Sequence, residues 1–206
     1  MLKKMLMTVC LFSMAWTASA WSDGRNVLQW KEITSKKEVK AAIKRDRLYV
    51  SIILTGDQSK VSQNDLAATV MQAAETYHVR TDIPVITVKL LAFAPTKNIG
   101  ETLLAYAVYI PDQKGPGGKA QMSSPWETLT AVPRGFTTQE LEYFRLYESM
   151  YDQYINQDDG RGDKLHQAVC KKLGVKPADF QPMFNFPNKV EPPTQKKSGG
   201  VIINVN

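Results

Sequence analysis

The sequence contains few residues of the types that most often carry chemistry, with two cysteines and two histidines among 206 residues. A zinc site would need both His78 and His166, which fall in separate predicted helices, together with Cys170 or a carboxylate. His166 and Cys170 are four residues apart and share a helical face, a spacing that also suits a nucleophile and its base. Because a cysteine in an apolar helical row is usually a small buried side chain, we expect a structural role for Cys170, no metal and no cofactor.

The sequence also lacks the local motifs of hydrolases and nucleotide-binding proteins. No Gly-x-Ser-x-Gly elbow is present. A phosphate-binding loop is excluded because Gln113 stands where its first glycine belongs and Ala120 where its magnesium-binding hydroxyl belongs. Pro111 and Asp112 are instead typical of a turn that ends a strand. The acidic loop that starts at Asn156 lacks the glycine at position six and the glutamate at position twelve of an EF-hand.

The charge balance argues against nucleic-acid binding. The formal net charge is +6, of which Lys3 and Lys4 contribute two, so residues 21–206 hold 24 basic and 20 acidic residues, a net charge of +4. A basic cluster lies within residues 36–47, but no recognition motif or aromatic stacking platform accompanies it. We therefore expect a protein partner and no nucleic acid.

The chain has no apolar run long enough for a membrane span. Residues 5–16 are apolar, but they are too short to cross about 30 Å of hydrocarbon. They follow two lysines and precede the small residues Ala18, Ser19 and Ala20, which is the pattern of a secretory signal peptide. The sequence therefore predicts a signal peptide over residues 1–20, no integral membrane segment after cleavage, and a periplasmic or secreted protein.

A strand, a helix and a second strand are predicted between residues 47 and 94. Alternate residues are apolar in RLYVSIIL, which predicts a strand that ends before Gly56. Ser62 and Asp65 cap an amphipathic helix that continues through Tyr77. PVITVKLLAFA again alternates, with Thr87 and Lys89 on its more polar side, so one sheet face is covered and the other partly solvated. Because such a crossover joins parallel strands, we expect these two strands to be parallel.

Further strands complete the predicted sheet. A short loop turns residues 103–110 back antiparallel to the second strand, and both faces of this segment are apolar, which is typical of an interior strand. Residues 126–132 supply another strand, and residues 27–33 a short one before a charged helix at 36–45. The sheet is therefore mixed.

Two helices are predicted in the last third of the chain. Thr137 and Glu140 form a capping box for a helix over 138–155. Asp163 is the candidate N-cap of the next helix, and Gly174 ends it.

Together these elements predict a single α+β domain over residues 21–185, in which helices cover a mixed sheet of four to five strands. The segment 186–206 is rich in proline, lysine and glycine, which predicts a flexible tail. Its last six residues, VIINVN, are β-prone.

The helix over 138–155 carries an apolar and aromatic surface wider than the usual core-facing stripe. Four tyrosines recur along it at i, i+4, i+8 and i+11, and we call them the tyrosine stripe: Tyr143, Tyr147, Tyr151 and Tyr154. A helix wedged between a sheet and another helix would bury both edges of this surface. Alternatively, part of the stripe is an exposed binding surface, because tyrosine is enriched in interface cores.

One segment carries a family resemblance. Ala105-Tyr106-Ala107 leads to Pro111-Asp112 and Gly115, with Trp126 downstream. With this A-Y-A strand and P-D-x-K-G turn, the chain resembles a small family of bacterial and phage domains of unknown function over about residues 64–175. The resemblance implies a fold and no activity.

The leading functional hypothesis is an exported bacterial envelope protein that acts as a non-catalytic binding or assembly factor, with the tyrosine stripe as its contact surface. The β-prone C-terminal end could add a strand to a partner's sheet. Two alternatives remain open. The chain is an inhibitor or immunity protein, or it is a periplasmic enzyme whose site is assembled from scattered residues: Asp57, His78, Glu101, Asp112 and His166.

Overall fold

The computed structural model describes residues 25–35, 38–39, 46–114, 121–154, 162–182 and 187–192. These residues form three helices, α1 Gln63–Thr81, α2 Thr138–Tyr154 and α3 Asp163–Leu173. They form six strands, β1 Trp30–Glu32, β2 Arg47–Leu54, β3 Val85–Leu91, β4 Leu103–Tyr109, β5 Trp126–Ala131 and β6 Asn188–Lys189. The predicted signal peptide, most of the helix expected at 36–45, the glycine-rich segment 115–120 and the end of the tail lie outside the described residues.

The sheet is mixed, and its strands are ordered in space as they are along the chain. β2 and β3 are parallel, whereas every other neighbouring pair is antiparallel. This confirms the α+β class, the parallel crossover and the interior position of β4. The six strands exceed the four or five expected, because Asn188 and Lys189 pair with Ala131 and Thr130 at the edge of the sheet.

Helix α1 begins and ends through specific backbone contacts. The Asp65 amide donates to Ser62 Oγ over 3.2 Å, and the Ser62 amide donates to Asp65 Oδ2 over 3.3 Å, which is the predicted capping box. The helix ends at Asp82, which adopts a left-handed conformation with φ 54°. Its alanines Ala67, Ala73 and Ala74 are fully buried, and small side chains allow a helix to lie close against strands.

Strand register lines up the buried side chains of one sheet face. Val50 pairs with Val88, Val88 with Ala107, and Ala107 with Leu129, and all four belong to one core with α1. On the opposite face Tyr49 is 56% exposed. The sheet therefore has one covered face and one partly solvated face.

Helices α2 and α3 pack against each other. Thr137 and Glu140 form the predicted capping box of α2. The assignment of Asp163 as the N-cap of α3 is wrong. Gly162 occupies that position with φ 73°, a left-handed conformation that glycine adopts without a Cβ penalty, and Asp163 is the first helical residue. Gly174 ends α3 as expected, with φ 70°.

The described helices are too short or too polar to span a membrane.

Candidate functional site

The tyrosine stripe begins on the side of α2 that faces α3, where Tyr143 contacts His166 and Tyr147 lies near Gly162, and its burial changes along the helix. Tyr143 is only 3% exposed, whereas Tyr147, Tyr151 and Tyr154 are half-buried. Ring centroids lie 5.9 Å apart between Tyr143 and Tyr147 and again between Tyr147 and Tyr151. The stripe is therefore divided into one core residue and three that contact both the core and solvent, and we call those three the outer tyrosines.

Tyr143 joins three segments of the chain. Its hydroxyl lies 2.9 Å from His166 Nδ1, while His166 Nε2 lies 3.3 Å from the Pro177 carbonyl oxygen. Because a carbonyl only accepts, Nε2 carries the imidazole proton and Nδ1 accepts from the tyrosine hydroxyl. The Phe180 ring packs against the same tyrosine at 5.5 Å. This junction fixes α3 and the segment after it against α2.

Cys170 lies within this junction, with its Sγ 3.6 Å from His166 Nε2 and 3.8 Å from Nδ1. The sequence placed this pair on one helical face, and the structure brings it together. The thiol is fully buried, and burial raises its pKa. Since the thiolate is the reactive form, this environment gives Cys170 a packing role and not that of a nucleophile.

The outer tyrosines share α2 with a carboxylate that holds a loop in place. Glu148 accepts hydrogen bonds from Thr96 Oγ1 at 2.9 Å, from Asn98 Nδ2 at 3.1 Å and from the Asn98 amide at 3.3 Å. The loop between β3 and β4 is thereby tied to the helix. One turn further along, Asp152 and Lys97 form an exposed ion pair at 3.7 Å.

The start of α2 is fixed by an ion pair between a buried glutamate and a half-exposed arginine that sequence reasoning did not single out. Arg134 donates to both carboxylate oxygens of Glu140 at 2.8 and 2.9 Å, and the Thr137 amide donates to the same carboxylate at 2.8 Å. Burial raises the pKa of Glu140, but these hydrogen bonds outweigh it and bring the pKa down from 4.5 to about 2. The capping box pointed to Glu140, yet the arginine six residues earlier is found only in the folded chain.

The five scattered candidate catalytic residues lie on different parts of the fold. Asp57 follows the carboxyl end of β2, and Glu101 precedes β4 at the same end of the strands. Glu101 pairs there with Lys89 at 2.7 Å. His78 and Asp112 lie toward the opposite ends of the strands. His166 lies on α3, and no hydrogen bond or ion pair joins any two of the five in the described part of the chain.

Sequence reasoning missed a second cluster, which lies where β4 ends and β5 begins. The Trp126 and Tyr109 rings lie 4.6 Å apart, and the His78 ring lies 5.9 Å from Tyr109. Glu75 precedes His78 by three residues on α1, which places the two side chains on one helical side. The spacing of Glu75 and His78 is the feature of this cluster that the sequence alone shows. Among the described residues, no group of three or more His, Cys, Asp and Glu side chains could hold a metal ion.

A solved structure resembles this chain. It is a crystal structure, at 2.49 Å resolution, of a DUF487 family protein from Desulfovibrio piger ATCC 29098. The two are 34% identical with a TM-score of 0.60, and the match covers 70% of this chain and 86% of that one. Comparison with curated proteins gives no match.

A family model extends this likeness over most of the domain. It describes a domain of unknown function, DUF4875, and matches residues 28–182, from before β1 to beyond α3. The resemblance that the A-Y-A strand and the Pro-Asp turn indicate is thereby confirmed. The chain belongs to the DUF4875 family of domains of unknown function.

Proposed function

We propose that this protein is an exported, non-catalytic binding protein of the bacterial envelope, and that the outer tyrosines Tyr147, Tyr151 and Tyr154 contact a partner protein. The observation that carries the proposal is the division of the tyrosine stripe. Tyr143 is buried at the α2–α3 junction, while the three residues that continue its row keep part of their surface in solvent.

The outer tyrosines have the physical properties of an interface core. The Tyr147 and Tyr151 rings are held at a regular spacing by the helix and by the buried Tyr143 at the start of the row. A tyrosine side chain buries a large area and loses little conformational entropy on binding, since it has only two rotatable bonds. The neighbouring polar residues Glu148, Asp152 and Lys97 would form the hydrated rim that surrounds such a core.

An inhibitor or immunity protein belongs to the same binding class and would differ by a tight one-to-one complex. The enzyme alternative is not favoured, because no hydrogen bond or ion pair joins any two of its five candidate residues in the described part of the chain. Strand addition by residues 201–206 stays a prediction. Unchanged partner binding after deletion of residues 191–206 would remove it.

Site-specific crosslinking tests the binding proposal. We would place p-benzoylphenylalanine at position 151 and, as a matched control, at position 49, because Tyr49 is an exposed tyrosine on the sheet. We expect a discrete crosslinked partner from position 151 only. With that partner purified, Tyr151→Ala should weaken its affinity at least about tenfold, as for an interface anchor, while Tyr49→Ala leaves it unchanged. Identical adducts from both positions, or equal affinity of both variants, would contradict the proposal.

Export is tested separately by mass spectrometry of the intact protein from cell fractions. Cleavage after Ala20 predicts an envelope species that begins at Trp21. An uncleaved chain confined to the cytoplasm would remove the export part of the proposal.

A further inference from the structure

The cluster around Tyr109 contains more hydrogen-bond acceptors than donors. His78 Nδ1 lies 2.9 Å from the Ile83 carbonyl oxygen, so Nδ1 carries the proton of the neutral ring and Nε2 is left as an acceptor. Within the described residues, the Glu75 carboxylate, the Tyr109 hydroxyl and His78 Nε2 have no hydrogen-bond partner.

The position of Glu75 makes this imbalance costly. Its side chain is half-buried on α1, beside the strand end that carries Tyr109. Burial raises the pKa of Glu75, and burial together with the nearby Glu75 charge raises the pKa of Tyr109. A carboxylate that is partly removed from water without a compensating donor destabilises the folded chain until a partner supplies one.

The neighbouring rings favour a positively charged partner. Trp126, Tyr109 and His78 form a continuous aromatic row, with adjacent centroids 4.6 and 5.9 Å apart. The electron-rich face of tyrosine attracts cations, and Tyr109 is the half-buried ring of this row, whereas Trp126 is only 9% exposed and supports Tyr109 from the core side. A metal ion fits poorly because Glu75 and His78 are the only two such ligands here, and the described residues contain no group of three.

We propose that Glu75, with the aromatic row of His78, Tyr109 and Trp126, binds an organic cation that carries several N–H donors, an ammonium or guanidinium group. The donors satisfy the carboxylate, the hydroxyl and the imidazole nitrogen, while the charge is attracted by the rings. This site lies on α1, at the end of β4 and the start of β5, whereas the tyrosine stripe lies on α2, so the proposal stands independently of the proposed function.

Nuclear magnetic resonance on the purified protein tests this site through the indole N–H of Trp126, assigned by Trp126→Phe. The probes are n-butylammonium and n-butylguanidinium, with n-butanol as the uncharged match, at about pH 8, where both cationic probes stay charged. We expect a saturable shift with the two cations only. Glu75→Gln should weaken the binding at least about tenfold, since a charge-assisted hydrogen bond is lost.

Glu101→Gln is the matched control, because Glu101 is a half-exposed glutamate already paired with Lys89. It should leave cation binding unchanged. The peptide acetyl-Gly-Gly-Lys-Gly-Gly-amide distinguishes the source of the cation. Tighter binding than n-butylammonium indicates a basic side chain of a polypeptide, and equal binding indicates a free amine. No saturable shift with any cation, an equal shift with n-butanol, or undiminished binding to Glu75→Gln would overturn the proposal.

Discussion

The Tyr143 hydroxyl and His166 Nδ1, 2.9 Å apart, connect α2 to α3 across a buried junction. Tyr143→Phe removes this hydrogen bond and leaves the imidazole nitrogen with only the weak thiol donor of Cys170. We expect the free energy of unfolding to fall by about 1–2 kcal/mol in urea denaturation. Tyr49→Phe, at an exposed tyrosine, should change it by less than about 0.5 kcal/mol. Equal stability of both variants would contradict a structural role for the junction.

Acid should weaken the fold through Glu140. Because its pKa is about 2 in the folded chain and ordinarily 4.5, its ion pair contributes fully above about pH 4.5 and is lost as the pH falls toward 2. Glu140→Gln should lower the free energy of unfolding by about 2 kcal/mol at neutral pH. The difference from the unmodified chain should shrink between pH 4.5 and 2. A difference that does not change with pH would show that the carboxylate charge is unimportant.

Gly135 is required by a close backbone approach. A Cβ at this position would overlap the carbonyl oxygen of Gln58. Gly135→Ala should therefore cost about 1–3 kcal/mol in chemical denaturation, as overpacking does. In Gly174→Ala the new Cβ meets no atom within 4 Å, and only the left-handed φ of 70° is unfavourable, by about 1 kcal/mol. This substitution should therefore reduce the free energy of unfolding less than Gly135→Ala does.

Glu148 should control the mobility of the loop between β3 and β4. In Glu148→Ala the Asn98 amide loses its acceptor, and its hydrogen exchange should become faster. Ser149→Ala, at an exposed neighbour on the same helix, should leave that exchange rate unchanged. Slow exchange at Asn98 in Glu148→Ala would mean that the loop is held by other contacts.

Glu75 should reduce stability in the absence of a ligand. Burial raises its pKa in the folded chain, so ionisation disfavours folding once the pH exceeds its ordinary value of 4.5. Glu75→Gln should therefore raise the melting temperature at about pH 7 and change it much less at about pH 4, where most of the carboxyl is protonated in both states. A lower melting temperature at neutral pH would indicate that Glu75 already has a stabilising partner.

Local patterns predicted most of the fold because they act over short distances along the chain. The capping boxes at Ser62 and Thr137 satisfy backbone groups within three residues, so the sequence alone places the starts of α1 and α2. Strand β6 was not predicted, since Asn188 and Lys189 have no strand preference and pair only because the chain returns to β5. The N-cap of α3 is misassigned because Asp163 fits a cap by residue type, whereas the position before α3 has a left-handed φ of 73° that favours glycine.

The candidate site was only partly predictable. The spacing of the tyrosine stripe is a property of the sequence, but the division between buried Tyr143 and the outer tyrosines depends on where His166 and Phe180 pack. The cluster of His78, Tyr109 and Trp126 could not be assembled in advance, because strand register brings Tyr109 to Trp126 and the packing of α1 on the sheet adds His78.

The sequence by itself determined the class of fold, the parallel crossover and the interior strand, because periodicity, capping and loop length are properties of neighbouring residues. Only the tertiary structure decided which polar groups are satisfied and which tyrosines keep contact with solvent. Whether a polar group finds a hydrogen-bond partner, and how much of a tyrosine stays exposed, depend on atoms from segments distant along the chain. Packing alone brings those atoms together.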